Sequence, residues 1–157
     1  MPQQRLDKLL SSTGRWSRKE ARELVRQGRV SVQGRTAARE DEKYEHTAEI
    51  RVDGAPVDCS PFIYLMLHKP PGLLSATRDK HTPTVLNLLP EHLCRRGLFP
   101  AGRLDKDTTG LLLLTDDGDL GHALLSPKRH VDKVYFAQVD GLLTRADQEA
   151  LARGLTL

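Results

Sequence analysis

Residues 99–119 have the sequence FPAGRLDKDTTGLLLLTDDGD. The second half contains an apolar run, Leu111 to Leu114, which is short enough for one buried strand. Asp117-Gly118 follows the run and predicts a turn, because both residue types tolerate positive φ. The first half contains Pro100 and Gly102, which disfavour regular structure and predict a loop. This loop would bring a dense group of charges to the edge of a rigid apolar strand: Arg103, Asp105, Lys106 and Asp107.

The simplest interpretation of this loop is a solvated turn that contains an Arg–Asp ion pair. A second interpretation is a calcium loop of the EF-hand type. Five residues match positions one, three, five, six and twelve of that pattern: Asp105, Asp107, Thr109, Gly110 and Asp116. The last of these is Asp where a bidentate Glu is preferred, and residues 99–102 cannot form the entering helix. The calcium interpretation is therefore disfavoured.

A third interpretation is a nucleophilic carboxylate. The order Asp-x-Asp-x-Thr in residues 105–109 is typical of phosphatases that form an aspartyl-phosphate. Such a nucleophile ends a buried strand, whereas here the apolar strand follows the Asp. The order of elements argues against a phosphatase but leaves a nucleophilic role for Asp105 open.

Gly102-Arg-Leu-Asp105, followed by threonine, Gly110 and the leucine run, closely resembles the catalytic motif of RsuA-type pseudouridine synthases, which act on ribosomal RNA. Lys69-Pro-Pro-Gly72 and Lys133-Val-Tyr135 extend the resemblance to nearly the whole chain. It implies an α+β protein in which a small S4 (alpha-L) RNA-binding domain precedes a mixed, mainly antiparallel, catalytic domain. We expect these domains at residues 1–58 and 62–157, with a linker at 59–61.

Composition restricts the alternatives. The 157 residues are 38% hydrophobic, enough for one or two small cores. No apolar run has the length of a membrane span, and no signal peptide opens the chain. Cys59 and Cys94 lie far apart, and the six histidines are scattered. We therefore predict a cytoplasmic protein that contacts no membrane and contains no metal site.

The positive charge is concentrated at the N-terminus. Residues 1–39 contain ten Lys and Arg against three acids, a net charge of +7, whereas the remainder has −4. Within this segment Ser17 and Glu20 form a capping box for a helix that Gly28 should end. One stripe of that helix would present four arginines: Arg18, Arg22, Arg26 and, if the turn continues, Arg29.

Four guanidiniums on one stripe repel each other, but phosphates would stabilise them. An ordinary solvated basic face is the alternative. Resemblance to the S4 domain, in which the Arg-rich helix and the following loop dock on structured RNA, favours RNA contact. The residues expected to bind RNA are Arg15, Arg18, Lys19, Arg22, Arg26 and Arg29.

Periodicity and capping signals predict the remaining elements. Helices are expected at 5–10, 81–89, 119–125 and 144–154. Strands are expected at 30–32, 50–52, 55–57, 62–67 and 131–139, with another beginning at Leu155. Residues 40–47 should form a polar loop. Lys69 follows a strand, either as a solvated turn residue or, as the resemblance implies, as part of the scaffold beside the active cleft.

The resemblance implies a role for each site residue. Asp105 would be the nucleophile, attacking either the sugar C1′ or the uracil ring, and Arg103 would hold the extruded nucleotide or fill its place. Tyr135, a core residue on strand pattern alone, would stack on the freed base. The reaction needs no cofactor.

The expected substrate is a uridine in small-subunit (16S) ribosomal RNA, with the RNA as partner, free or in an assembling ribonucleoprotein, and a monomeric enzyme. Related enzymes continue with further strands and another motif, so we expect a chain truncated at its C-terminus. The alternative is a non-catalytic S4-type RNA-binding protein or an inactive fragment.

Overall fold

The computed structural model describes residues 3–129 and 131–154. In chain order its elements are β1 (Gln4–Arg5), α1 (Leu6–Ser12), α2 (Arg18–Arg26), β2 (Val30–Val32), β3 (Arg35–Thr36), β4 (Lys43–Tyr44), β5 (Ile50–Val52), β6 (Ala55–Val57), β7 (Tyr64–Lys69), a 3₁₀ turn (Val85–Leu88), α3 (Glu91–Cys94), β8 (Phe99–Pro100), β9 (Gly110–Thr115), α4 (Gly118–Leu125) and α5 (Arg145–Arg153). The α+β class predicted from the sequence is confirmed.

The N-terminal module packs α1 and α2 against a four-stranded antiparallel sheet of order β3-β2-β5-β6. The predicted capping box starts α2: the Ser17 hydroxyl accepts from the Glu20 amide at 3.2 Å, and the Glu20 carboxylate accepts from the Ser17 amide at 2.6 Å. Gly28, at φ 70°, follows the helix as predicted. The module has its own core, formed by Leu6, Leu9, Leu10, Ala21, Leu24, Val25, Val30, Val32, Ala37, Ile50, Val52, Val57 and Cys59.

The second module is built on the leucine run. β9 is the central strand of a three-stranded antiparallel sheet of order β7-β9-β8, so it is paired on both edges. Alternate residues of β9, Leu112 and Leu114, face a small core around Val85. This arrangement confirms the predicted buried strand and places residues 101–109 at its N-terminal end.

Arg96 connects the two modules through the linker. It follows α3, and only 4% of its side chain is exposed. Its guanidinium binds Asp116 at 2.7 Å and donates to the carbonyls of Ser60 and Pro61. The same carboxylate accepts from the Ile63 amide at 2.7 Å. One buried ion pair therefore fixes the chain as it leaves the first module and enters the second.

The strand predicted at residues 131–139 is wrong. These residues form no ladder, and Val134 and Phe136 are 97% and 95% exposed. The alternating pattern in the sequence is compatible with a strand, but a strand also needs a hydrogen-bonding neighbour. No strand among the described residues lies beside this segment. The strand expected to begin at Leu155 lies outside the described residues.

Several shorter elements differ from the prediction. Lys43–Tyr44 forms β4 inside the predicted polar loop because it pairs with β1. Phe99–Pro100 forms β8 inside another predicted loop, since an edge strand tolerates proline. Asp117, predicted in a turn, instead caps α4: its carboxylate accepts from the Leu120 amide at 2.9 Å. The helix predicted at 81–89 is reduced to the 3₁₀ turn.

The helix predicted at 144–154 is confirmed as α5, which a Thr144–Asp147 capping box starts. α5 contains nine residues, the same number as α2, whereas a helix that spans a bilayer needs about 20. None of the helices in the described part of the chain has the length and apolarity of a membrane span.

The ion pair at the linker gives a stability prediction. Arg96→Met should lower the free energy of unfolding by about 3 kcal/mol, because Asp116, whose side chain is only 12% exposed, would lose its cation. Arg95→Met is the matched control, since Arg95 pairs with Glu91 in solvent and should contribute less than about 0.5 kcal/mol. Urea unfolding followed by circular dichroism measures both values. Equal effects of the two substitutions would contradict the account.

Candidate active site and RNA-binding surface

A single serine holds the backbone on the N-terminal side of Asp105. The Ser75 hydroxyl accepts from the Leu104 amide at 3.0 Å and donates to the Leu104 carbonyl at 2.8 Å. Ser75 belongs to the segment after β7, which is attached to the 3₁₀ turn by hydrogen bonds between Leu74 and residues 83–85. The residue immediately before the candidate nucleophile is thus fixed through both of its backbone polar groups.

Lys69 holds the other side of the loop. Its side chain is completely buried, and its ammonium donates to three carbonyls: Pro70 at 3.1 Å, Lys106 at 2.8 Å and Thr108 at 3.0 Å. An ammonium has three donors, so each is used. The carbonyl of Lys106 also accepts from the Gly72 amide at 2.8 Å. Lys69 is therefore part of the scaffold, and the alternative of a solvated turn residue is wrong.

The candidate nucleophile lies between these two anchors. Asp105 is exposed, as is Arg103, and neither side chain makes a hydrogen bond or ion pair with a described residue. The loop closes in a turn in which the Thr108 amide donates to the Asp105 carbonyl at 3.1 Å. The backbone is rigid while the carboxylate faces solvent, as a group that must reach a substrate requires.

Tyr135 is not joined to this arrangement. It lies in the extended segment after α4, is 64% exposed, and makes no hydrogen bond with a described residue. A cavity of about 750 Å³ is lined by residues of the segments 77–79, 84–91 and 94–98 and includes neither Asp105 nor Tyr135. The structure thus places Arg103 and Asp105 on one loop, and among the described residues no hydrogen bond joins Tyr135 to that loop.

The predicted arginine stripe has acidic partners that the sequence pattern did not reveal. Asp7, completely buried in the first turn of α1, accepts from Nε of Arg22 at 2.9 Å, of Arg18 at 3.3 Å and of Arg5 at 3.1 Å. Burial alone would raise the pKa of Asp7, but the hydrogen bonds from the three guanidiniums outweigh it and hold that pKa well below its usual range. We call these three arginines and Asp7 the Asp7 cluster.

The other predicted RNA contacts surround this cluster. Arg26 forms an exposed ion pair with Glu40 at 3.5 Å. Arg29 lies beyond the end of α2 and binds Asp53 at 2.6 Å, which raises the pKa of Arg29 and lowers that of Asp53. Arg15 and Lys19 are exposed. The mutual repulsion expected from the sequence is therefore reduced by carboxylates, and a basic surface remains.

Both modules match families of known proteins. Residues 63–154 match the family model described as RNA pseudouridylate synthase, and residues 4–50 match the S4 domain. The chain belongs to the RNA pseudouridine synthase family. It is 49% identical over 152 residues to an uncharacterized RNA pseudouridine synthase of Bacillus subtilis, an alignment that covers 96% of this chain and 64% of the relative.

Two further relatives act on different ribosomal subunits, as their names state. The ribosomal large subunit pseudouridine synthase B of Bacillus subtilis is 36% identical over 98% of this chain and 63% of its own length. The ribosomal small subunit pseudouridine synthase A of Pseudomonas aeruginosa is 38% identical over 96% of this chain and 66% of its own length. Family membership confirms the predicted class but does not select a subunit. The chain spans 63–66% of the length of these three relatives, less than two thirds.

Sequence reasoning missed three residues of these sites: Ser75, Arg5 and Asp7. Nothing in the local pattern distinguishes Ser75 from other loop serines. Asp7 could have been found, since a helix that buries Leu6, Leu9 and Leu10 places the residue between them close to the same face. An acid there, two residues after Arg5, indicates a buried ion pair.

Lys69→Met should loosen the loop that presents Asp105. Three carbonyls would lose a charged donor, so we expect a loss of about 3 kcal/mol in unfolding free energy. Amide hydrogen exchange at Gly72 and Thr108 should accelerate by about tenfold or more. Lys106→Met, which removes an exposed cation from the same loop, should change neither quantity. Unchanged exchange in Lys69→Met would contradict the assigned role.

The low pKa of Asp7 predicts how its contribution to stability depends on pH. Because the pKa is depressed in the folded state, the contribution is fully present above the pKa of the unfolded chain, about 4, and is lost as pH falls through the folded value. Asp7→Asn should therefore be less stable than the parent at pH 7, and the difference should shrink steadily below about pH 4. Thermal unfolding from neutral to acidic pH measures this. A difference independent of pH would contradict it.

Proposed function

We propose that the protein isomerises a uridine in ribosomal RNA to pseudouridine, with Asp105 as the nucleophile. The observation that carries this proposal is the exposed carboxylate of Asp105 on a loop fixed by Ser75 and by the buried ammonium of Lys69. Membership of the pseudouridine synthase family and the match of the N-terminal module to the S4 domain support it. We also propose a cytoplasmic location, where ribosomal RNA would be available.

The proposed reaction breaks the glycosidic C–N bond and forms a C–C bond between the same sugar and C5 of the uracil. The uridine first leaves its stack, at a cost of a few kcal/mol, which contacts to the basic module would offset. Arg103, two residues before Asp105, would occupy the vacated space or hold the extruded nucleotide. An ionised Asp105 then attacks either C1′, displacing N1 of the uracil, or the uracil ring. The bond to Asp105 breaks again as C5 bonds to C1′, C5 loses its proton, N1 takes one up, and no cofactor takes part.

Tyr135 would stack on the freed base and assist removal of the proton from C5. This role requires the segment at residues 131–139 to lie against the loop of Asp105 when RNA is bound. Its exposed apolar side chains, among them Val134 and Phe136, favour such a change because they are poorly accommodated in water. Binding of the nucleotide would thus complete the site.

The substrate we propose is small-subunit ribosomal RNA, free or in an assembling particle, and the acting species is a monomer. The resemblance to small-subunit enzymes motivates this choice. A relative named for the large subunit has nearly the same identity to this chain, so modification of large-subunit RNA instead would overturn the subunit assignment alone.

A second candidate function is RNA binding without catalysis. The exposure of Tyr135, which makes no hydrogen bond with a described residue, favours it. In that case the N-terminal module would supply the function, and charge reversal at Arg22 and Arg26 would weaken RNA binding and flatten its salt dependence.

Asp105→Asn separates the two functions. The chain is incubated with transcribed small- and large-subunit ribosomal RNA, and pseudouridine is measured by mass spectrometry of the digested RNA. Product formation by Asp105→Asn should fall at least about a thousandfold, because an amide is a poor nucleophile, while RNA affinity changes less than about threefold.

Asp107→Asn is the control. It alters an exposed carboxylate of the same loop and should leave turnover within about twofold. Turnover that survives in Asp105→Asn would refute the nucleophile. Absence of product from the parent chain, together with tight RNA binding, would favour the second candidate.

A further inference from the structure

Asp7 has a geometry that the proposed chemistry does not use. Its carboxylate is completely buried, yet the three arginine side chains bound to it are 38%, 51% and 42% exposed, for Arg5, Arg18 and Arg22. Each guanidinium therefore has an inner edge on the carboxylate and an outer edge in water. The cluster joins the start of α1 to one side of α2, since Arg18 and Arg22 lie one turn apart.

The nitrogens through which Arg18 and Arg22 bind Asp7 show which edges of these guanidiniums remain available to a ligand. Arg18 and Arg22 reach Asp7 through Nε, and no bond joins their terminal nitrogens to a residue in the described ranges. A guanidinium has five N–H donors, and its two terminal nitrogens form the fork that binds phosphate oxygens. The contact with Asp7 therefore fixes the directions of Arg18 and Arg22 without occupying that fork. Arg5 differs, since it binds Asp7 through Nε at 3.1 Å and through one terminal nitrogen at 3.2 Å, which leaves its other terminal nitrogen for a ligand.

The net charge of the cluster is +2, so it still attracts a polyanion. Three unpaired guanidiniums so close together would repel each other and populate many rotamers. Fixing long side chains in the bound geometry before binding reduces the cost of ordering them on a ligand. Asp7 thus lowers the total positive charge of the surface but holds the three arginine side chains in place before a ligand binds.

We propose that Asp7 is a positioning residue for RNA: it holds Arg5, Arg18 and Arg22 as one preformed site for the phosphates of the backbone. The inference rests on the proposed function, because it takes RNA as the ligand. It does not depend on Asp105 or on turnover.

The proposal predicts that Asp7→Asn changes the affinity for RNA in the direction opposite to that expected from the change in net charge. Asp7→Asn makes the chain more positive, which by counterion release alone would tighten binding. Loss of preorganisation should instead weaken binding about tenfold. The probe is transcribed small-subunit ribosomal RNA, and the dissociation constant of the full chain is measured from about 50 to about 300 mM KCl. Circular dichroism verifies that each variant is folded.

Glu23→Gln is the matched control. Glu23 is an exposed acid on the same helix, and its carboxylate accepts from the Gln27 side chain rather than from an arginine. The variant gains the same charge and should bind as tightly as the parent or up to about twofold tighter.

A second test does not depend on the stability of Asp7→Asn. Arg18→Gln and Arg22→Gln alter half-exposed side chains. If the arginines act as one unit, each single change should cost about tenfold in affinity, and the double variant no more than about thirtyfold. Losses that multiply to about a hundredfold would overturn the proposal.

The remaining outcomes are also decisive. Binding by folded Asp7→Asn that equals or exceeds that of the parent would overturn the role of Asp7 while leaving the proposed pseudouridine synthesis intact. A parent chain that binds no RNA would overturn both. Weaker binding in Asp7→Asn, together with unchanged binding in Glu23→Gln, is the expected result.

Discussion

The buried ammonium of Lys69 is the interaction on which the candidate active site depends. Lys69 ends β7, which pairs along its length with β9, the central strand of the second sheet. A buried cation is costly unless all of its donors are satisfied, and here three carbonyls satisfy them. Two of these carbonyls belong to the loop of Asp105. The Lys69 side chain therefore ties the loop of Asp105 to the sheet.

In each module a buried charged side chain orients exposed groups, and the buried charge is negative in the first module and positive in the second. In the N-terminal module a buried carboxylate, Asp7, orients exposed arginines. In the second module a buried ammonium orients the backbone that presents an exposed carboxylate. In each case the buried group is inaccessible to a ligand and the exposed group is the one that would touch it. A buried charge tolerates little displacement from its partners. It therefore fixes the positions of the exposed groups although it does not itself contact the substrate.

The sequence predicted those elements whose signals are local. The capping boxes of α2 and α5 and the hairpin at residues 50–57 follow from short-range patterns and are present. The prediction of a strand at residues 131–139 failed because alternating apolar and polar residues are compatible with a strand but do not supply the neighbouring strand that it must pair with. β4 was missed for the converse reason: Lys43–Tyr44 is too short to show an alternating pattern, and it forms a strand because it pairs with β1.

The same distinction, between local sequence signals and contacts distant in sequence, explains which site residues could be predicted. Lys69 shares the inward face of β7 with Leu65 and Leu67, so strict alternation places it inside, and only its charge suggested solvent. Ser75 acts on Leu104 across 29 positions of sequence, a contact that no local pattern encodes. Arg103 and Asp105 were predicted as site residues by resemblance to a family motif, and the structure shows the hydrogen bonds that hold their loop.

The most direct test of this account is a crystal structure of the chain bound to a uridine-containing ribosomal RNA hairpin that it modifies. The account predicts one uridine extruded from the stack, with a carboxylate oxygen of Asp105 within about 3.5 Å of its C1′ or of a ring carbon, and with the three carbonyl contacts of Lys69 unchanged. An RNA bound with every uridine stacked, or an extruded uridine remote from Asp105, would contradict it.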